Sequence, residues 1–177
     1  MDYKTEGGVI MPVIAPLALA GIWDFEHVRD GRVIDRWSDK NLIVNEGLNH
    51  ILGVEFNGVT QIGTWYIGLF EANYTPVAGL TAATVTASAT ECIAYSEATR
   101  VAYVEAAAAA QSITNSASKA TFTINATKTI YGAFLVSASA KSATTGTLFS
   151  ASQFGASKSV VALDQLLVTY TINASSV

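Results

Sequence analysis

The sequence predicts an all-β chain: an antiparallel β-sandwich, jelly-roll-like, with one short helix and an extended N-terminal arm. Three observations carry this. Apolar residues alternate with polar ones at period two over several stretches rich in β-branched and aromatic residues. Turn-forming residues separate those stretches at short spacing. Half of the 177 residues are hydrophobic, enough for a core, whereas only 14% are charged against an ordinary level of about 25%. Such a surface is tolerable when much of it meets other protein.

Residues 1–22 read as the arm and residues 23–177 as a single domain. Met11–Ile22, MPVIAPLALAGI, has no charge and carries two prolines that oppose a regular helix. The longest apolar run, Val9–Trp23, is too short for a membrane-spanning helix, which needs about 20 residues. Laid in extended form across a neighbour, this segment would supply contact area, which makes Pro12, Val13, Ile14, Pro16, Leu17, Leu19 and Ile22 candidate interface residues. The same run reads equally well as the first edge strand of the domain. The opening MDYKTEGG is not basic and does not resemble the start of a signal peptide.

In the domain, FEHVRDGRVIDRW reads as a β-hairpin turning at Asp30-Gly31, with Arg32–Trp37 as its second strand. NLIVNEGLNHIL then runs from a strand end into a two-turn helix that plugs one end of the core. Asn45 would be its N-cap, Glu46 would favour the helix dipole, Leu48, Ile51 and Leu52 would face inward, and Gly53 would close it at C′. His50 is expected opposite that stripe. Further strands are expected at Thr64–Phe70, Glu91–Glu97 and Arg100–Ala106, with Tyr74–Ala89 a long loop and Ala106–Ala110 a turn into a strand.

Three later stretches alternate most clearly. Phe122 and Ile124 alternate with Thr121, Thr123 and Asn125. Ile130, Phe134 and Val136 are expected on one face and Tyr131, Ala133 and Leu135 on the other. Leu166, Val168, Tyr170 and Ile172 oppose Leu167, Thr169 and Thr171. In TWYIGLF both faces are apolar. It is a central strand covered on both sides, a strand whose outer face of Tyr66 and Phe70 meets another subunit, or a platform on which Trp65 or Tyr66 stacks sugars. Trp65, Tyr66 and Phe70 therefore join the candidate interface residues.

No chemistry is written into the sequence. His27 and His50 are the only histidines, and a metal site would need both with Glu46 or Glu26. No motif orients either histidine as a base beside a serine. Asp35, Asp39, Glu91 and Glu97 read as charges on solvated strand faces, and Cys92 as a small core hydrophobe that leaves no partner for a disulfide. No catalytic residue, metal or cofactor is expected. A net charge of −4, with no acid from Ala106 to Leu163, leaves no basic footprint for nucleic acid.

Several runs nevertheless resemble a family. NLIVNEGLNHIL, TWYIGLFEANYTP, TECIAYSEATRVAYVEAA, SITNSASKATFTINATKTIYGAFL, TTGTLFSASQFGASKSV and LLVTYTINAS are together similar to small structural proteins of tailed bacteriophages. The resemblance covers roughly residues 30–177. It implies a non-enzymatic virion protein made in the host bacterial cytoplasm. The expected role is to decorate or cement the capsid surface by bridging subunits of the major capsid protein, as a dimer or trimer and without contact to membrane or nucleic acid. A tail or fibre component, or a glycan-binding receptor module, is the alternative within the same kind of virion.

Overall fold

The computed structural model describes residues 3–6, 9–12 and 17–176, the first two segments as backbone alone. Strands β1 (Tyr3–Glu6) and β2 (Val9–Pro12) form a small antiparallel sheet of their own. The remaining elements are β3 (Leu17–Arg29), β4 (Arg32–Lys40), β5 (Leu42–Ile43), α1 (Asn45–Phe56), β6 (Trp65–Phe70), α2 (Ala82–Ser88), β7 (Glu91–Cys92), β8 (Val101–Tyr103), β9 (Ser112–Thr114), β10 (Ala120–Thr123), β11 (Lys128–Val136), β12 (Leu148–Val160) and β13 (Gln165–Ser176). One sheet has the order β10-β13-β3-β4, with β9 also paired to β13. The other has the order β5-β12-β11-β6-β7, with β8 also paired to β6. All pairings are antiparallel, and the two sheets face each other as an all-β sandwich.

The main core lies between them. Trp23, Phe25, Phe122, Leu166, Val168 and Tyr170 come from the first sheet. Ile67, Leu69, Ile130, Ala133, Leu135 and Phe154 come from the second. From Gly21 the inner positions of β3 alternate cleanly with outward Ile22, Asp24 and Glu26, as a half-solvated sheet requires. The hairpin turns at Asp30 (φ 50°) and Gly31 (φ 72°), both left-handed, which is the two-residue turn whose twist suits the flanking strands. β13 alternates as its sequence predicts. The expected arm differs in its last part. Leu17–Ile22 are paired with Thr171–Ser176, so this stretch opens the long strand β3 and the sandwich begins at Leu17, not at residue 23. Val13, Ile14 and Pro16 lie outside the described residues, as does the side chain of Pro12.

The second sheet is covered on its other face too. Phe70, Phe134, Val136 and Leu148 meet Leu80, Ala82 and Val85 from α2 and the segment before it. This helix falls inside the expected loop Tyr74–Ala89. Thr81 and Thr84 close a reciprocal capping box, and the burial of Ala82 and Val85 holds the helix to the sheet. A cross-strand interlock sits under it. Gly68 lies opposite Phe134 and Gly132 opposite Phe70, so each ring covers the glycine of the neighbouring strand. A Cβ on Gly68 would stand 2.2 Å from Phe134 Cζ, and one on Gly132 would stand 2.0 Å from Phe70 Cζ and 2.2 Å from the Ser152 carbonyl oxygen.

Other boundaries move for local reasons. Val44 is held extended by its bond to the Phe149 carbonyl (3.1 Å), and the helix begins one residue earlier than expected, with Val44 rather than Asn45 at the N-cap. Gly53 falls within α1, which runs on to Phe56. Its buried contact is Gly47, whose backbone lies close against Phe149. That approach turns Ile51 inward and leaves Leu48 and Leu52 exposed, so the expected stripe is split. A register shift after Ile130 moves this residue to the face of Ala133 and Leu135, leaving Tyr131 beside Phe134. The expected strands Glu91–Glu97 and Arg100–Ala106 shorten to β7 and β8.

Substituting either interlocked glycine should destabilise the fold. For Gly132→Ala the overlap includes a backbone oxygen that cannot swing away, so urea unfolding should show a loss of about 1–3 kcal/mol. Gly68→Ala, where only a ring must move, should lose less.

Candidate interaction surface

The charged side chains that the sequence leaves on strand faces are in large part internal ties. Glu91 and Arg100 are both buried, joined through Arg100 Nε–Glu91 Oε1 and Nη2–Oε2 at 2.8 Å each. Arg100 also donates to the carbonyls of Ala138 (2.9 Å) and Ala143 (3.1 Å), and Glu91 accepts from Ser142 N (2.8 Å). The pair thus pins the loop between β11 and β12, and the solvated role expected for Glu91 does not hold. Two carbonyls and a backbone N–H satisfy what the pair leaves over, which is the condition for burying such a pair.

Asp164 is a second tie. Its carboxylate accepts from His27 Nε2 (2.8 Å), Arg29 Nε and Nη2 (2.7 Å each) and Val161 N (2.8 Å). The Arg29 guanidinium holds the carboxyl well below the usual range against the opposing effect of burial, with the Val161 N–H and His27 assisting. A carboxylate held by four donors is a clamp on the β12–β13 turn. His27 is buried in that clamp, whereas His50 stands on α1, edge-on to Trp65 with ring centroids 5.7 Å apart. Asp35 pairs with Lys158 (2.8 Å), and Asp39 accepts from Gly155 N (3.0 Å). Cys92 is buried, and burial pushes its thiol up to about 12. Among the described residues, no group of three or more His, Cys, Asp or Glu is placed to hold a metal. No described helix is long and apolar enough to cross a membrane.

A run of exposed apolar side chains lies on and beside α1. Glu46 accepts from Ala82 N (2.8 Å) and Leu148 N (2.7 Å), which ties the first turn of α1 to α2 and to β12. With Gly47 seated on Phe149, the helix is firmly docked, yet Leu48, Leu52 (57% exposed) and Phe56 (80% exposed) form a stripe at i, i+4, i+8 on its outer side, with Val59 beside it. Between this helix and the sandwich runs a groove of about 360 Å³ lined by Leu17, Ile51, Phe56, Ile62, Trp65 and Phe149.

The candidate interface residues fall in different places. Leu17 (71% exposed) and Trp65 share this groove. Leu19 lines an adjacent apolar recess with Ile113 and Ile172, and Ile22 is exposed on the outer face of β3. Tyr66 is half-buried. Phe70 is fully buried beneath α2 and beside Gly132, so it cannot meet a partner. The stripe on α1 was not anticipated, although its signal is present: Leu48, Leu52 and Phe56 make the helix apolar on a second face besides that of Ile51 and Val54. No protein-family model matches the chain, and no curated protein matches it.

Removing the Asp164 clamp should be costly. Asp164→Asn should destabilise the protein by about 1–3 kcal/mol at neutral pH, since buried His27, the Val161 N–H and the partly exposed Arg29 lose a charged acceptor. Because the folded carboxyl titrates below its unfolded value near 3.9, its contribution is complete above that value and is lost as pH falls below it. Urea midpoints of the wild type should therefore drop more steeply between pH 5 and pH 3 than those of Asp164→Asn.

Proposed function

We propose that this chain is a non-enzymatic bacteriophage virion protein that decorates the capsid by bridging subunits of the major capsid protein. The observation that carries this reading is the apolar stripe Leu48–Leu52–Phe56 with Val59, presented on a helix that Gly47 and Glu46 hold rigidly to the sandwich. The resemblance of residues 30–177 to small phage structural proteins supplies the kind of partner. A preordered helix face loses little conformational entropy on docking. Burying apolar area contributes about 25 cal/mol per Å², from which association costs are subtracted, so the net energy per copy is modest. Repetition at many equivalent lattice sites makes such an energy sufficient to reinforce a shell.

The test is sedimentation of purified protein with expanded, empty capsids, set against a pull-down with host envelope glycans. The wild type should co-sediment with capsids. The double variant Leu52→Glu/Phe56→Glu should bind at least tenfold more weakly, equivalent to about 1.4 kcal/mol, while melting normally because both side chains are exposed. Binding to glycans without binding to capsids would overturn the decoration role and favour a receptor module.

A further inference from the structure

Among the described residues, the first four residues of β3 form an open sheet edge. On one side, Leu17–Ala20 pair with Ala174, its neighbours and Ser176 of β13. On the other side, the ladder with β4 ends at Ile22 and Lys40, and Asn41 closes it by accepting from Gly21 N (2.7 Å) and donating to Gly21 O (3.2 Å). No described strand lies beyond that point. The Gly21 N–H and C=O therefore face the β4 side, and by the period of two so do those of Leu19 and Leu17. The opposite residue agrees: Ala174 N points away from β3, to the Gln111 carbonyl (2.9 Å). Two N–H and two C=O groups thus have no partner among the described residues along an apolar edge, the kind of edge that seeks another strand.

We propose that this edge pairs with the same edge of a second copy, antiparallel about a twofold axis at Ala18. The segment is its own complement. With Ala18 opposite Ala18 of the other copy, Leu17 falls opposite Leu19, and the outward N–H and C=O groups of all four leucines close as hydrogen-bonded pairs. No charged residue occurs between Glu6 and Asp24, so no like charges meet across the axis. By the same parity that sends Trp23 and Phe25 inward, Leu17 and Leu19 lie on the core side of the sheet. There they line the groove beside α1 and the recess of about 260 Å³ with Ile113 and Ile172. Leucines of the second copy would extend this apolar layer across the axis. The pairing is isologous and closes at two copies. It does not rest on the capsid reading.

The experiment uses the full chain without capsids. Light scattering on the eluting protein should give twice the 18.6 kDa chain mass. Ala18 is half-buried on the outer face of β3, so Ala18→Asp and Ala18→Lys should each fold, place like charges directly opposite one another and raise the dissociation constant at least tenfold. An equimolar mixture of the two should restore the dimer, which a merely structural effect of either substitution would not do. Ala18→Cys should oxidise to a disulfide-linked dimer, because directly opposed residues of this non-hydrogen-bonded type bring their Cα atoms about 4.5 Å apart. Cys92 is buried and does not compete. A monomeric or trimeric wild type, a dimer unaffected by Ala18→Asp, or failure of the mixture to reassociate would overturn the proposal.

Discussion

The ladder between β3 and β13 is the constraint on which the rest depends. It pairs Leu17 with Ser176 and Val28 with Gln165, joining the two ends of the sandwich sequence in twelve residue pairs. Closing so long a loop is entropically expensive, and the aromatic inner face of the ladder is what offsets it. Trp23 stacks on Tyr170 with centroids 4.0 Å apart, and Phe25 stacks on Trp37 at 4.9 Å. The Tyr170 hydroxyl then links the sheets, accepting from Asn41 Nδ2 (2.6 Å) on one side and bonding Ser150 Oγ (2.9 Å) of the other sheet. On the far side of β13, the buried Asn115 side chain donates to Val168 O and accepts from Tyr170 N. It thereby fills the gap in the ladder between β9 and β10.

Polar groups inside the molecule hold loops rather than add net stability. A buried ion pair is often no better than a well-packed apolar replacement, but breaking it is severe. Arg100 and Glu91 set the path of the β11–β12 loop, and Asp164 sets the β12–β13 turn. Glu46 places α1 against α2 and β12. With so many of a small number of charges committed to internal ties, few remain to solvate the outside. The exposed leucines and phenylalanine on α1 and the uncharged start of β3 share that physical origin.

The parts of the fold that are legible along the chain are those made by local rules. Asp30-Gly31 specifies its hairpin because only a left-handed pair matches the strand twist. β10 and β13 alternate because one face of their sheet meets solvent. β12 obeys no such rule. Leu148–Val160 is rich in serine, alanine and glycine, and its ladder with β11 jumps from Gln153 to Lys158 while β11 advances only from Gly132 to Ile130. The irregular stretch turns Phe154 into the core against Phe25 and Trp37, so its role is defined by residues more than a hundred positions away. Likewise α2 has no acid in its own first turn; its leading N–H is met by Glu46 from α1, and the helix persists because the second sheet covers Ala82 and Val85.

By itself, then, the amino-acid order determined the all-β class, the hairpin, the alternating strands and the place of the first helix. Each follows from backbone preference or from a two-residue period. Only the tertiary structure decided which face of α1 is buried, that Phe70 is hidden while Phe56 is not, and that Leu17–Ala20 belong to the long strand β3 paired with β13. Those outcomes depend on a glycine meeting a distant backbone, a ring covering a glycine on another strand, and a ladder that joins residues 17–28 to residues 165–176. Such contacts between remote segments leave no periodic trace in the chain.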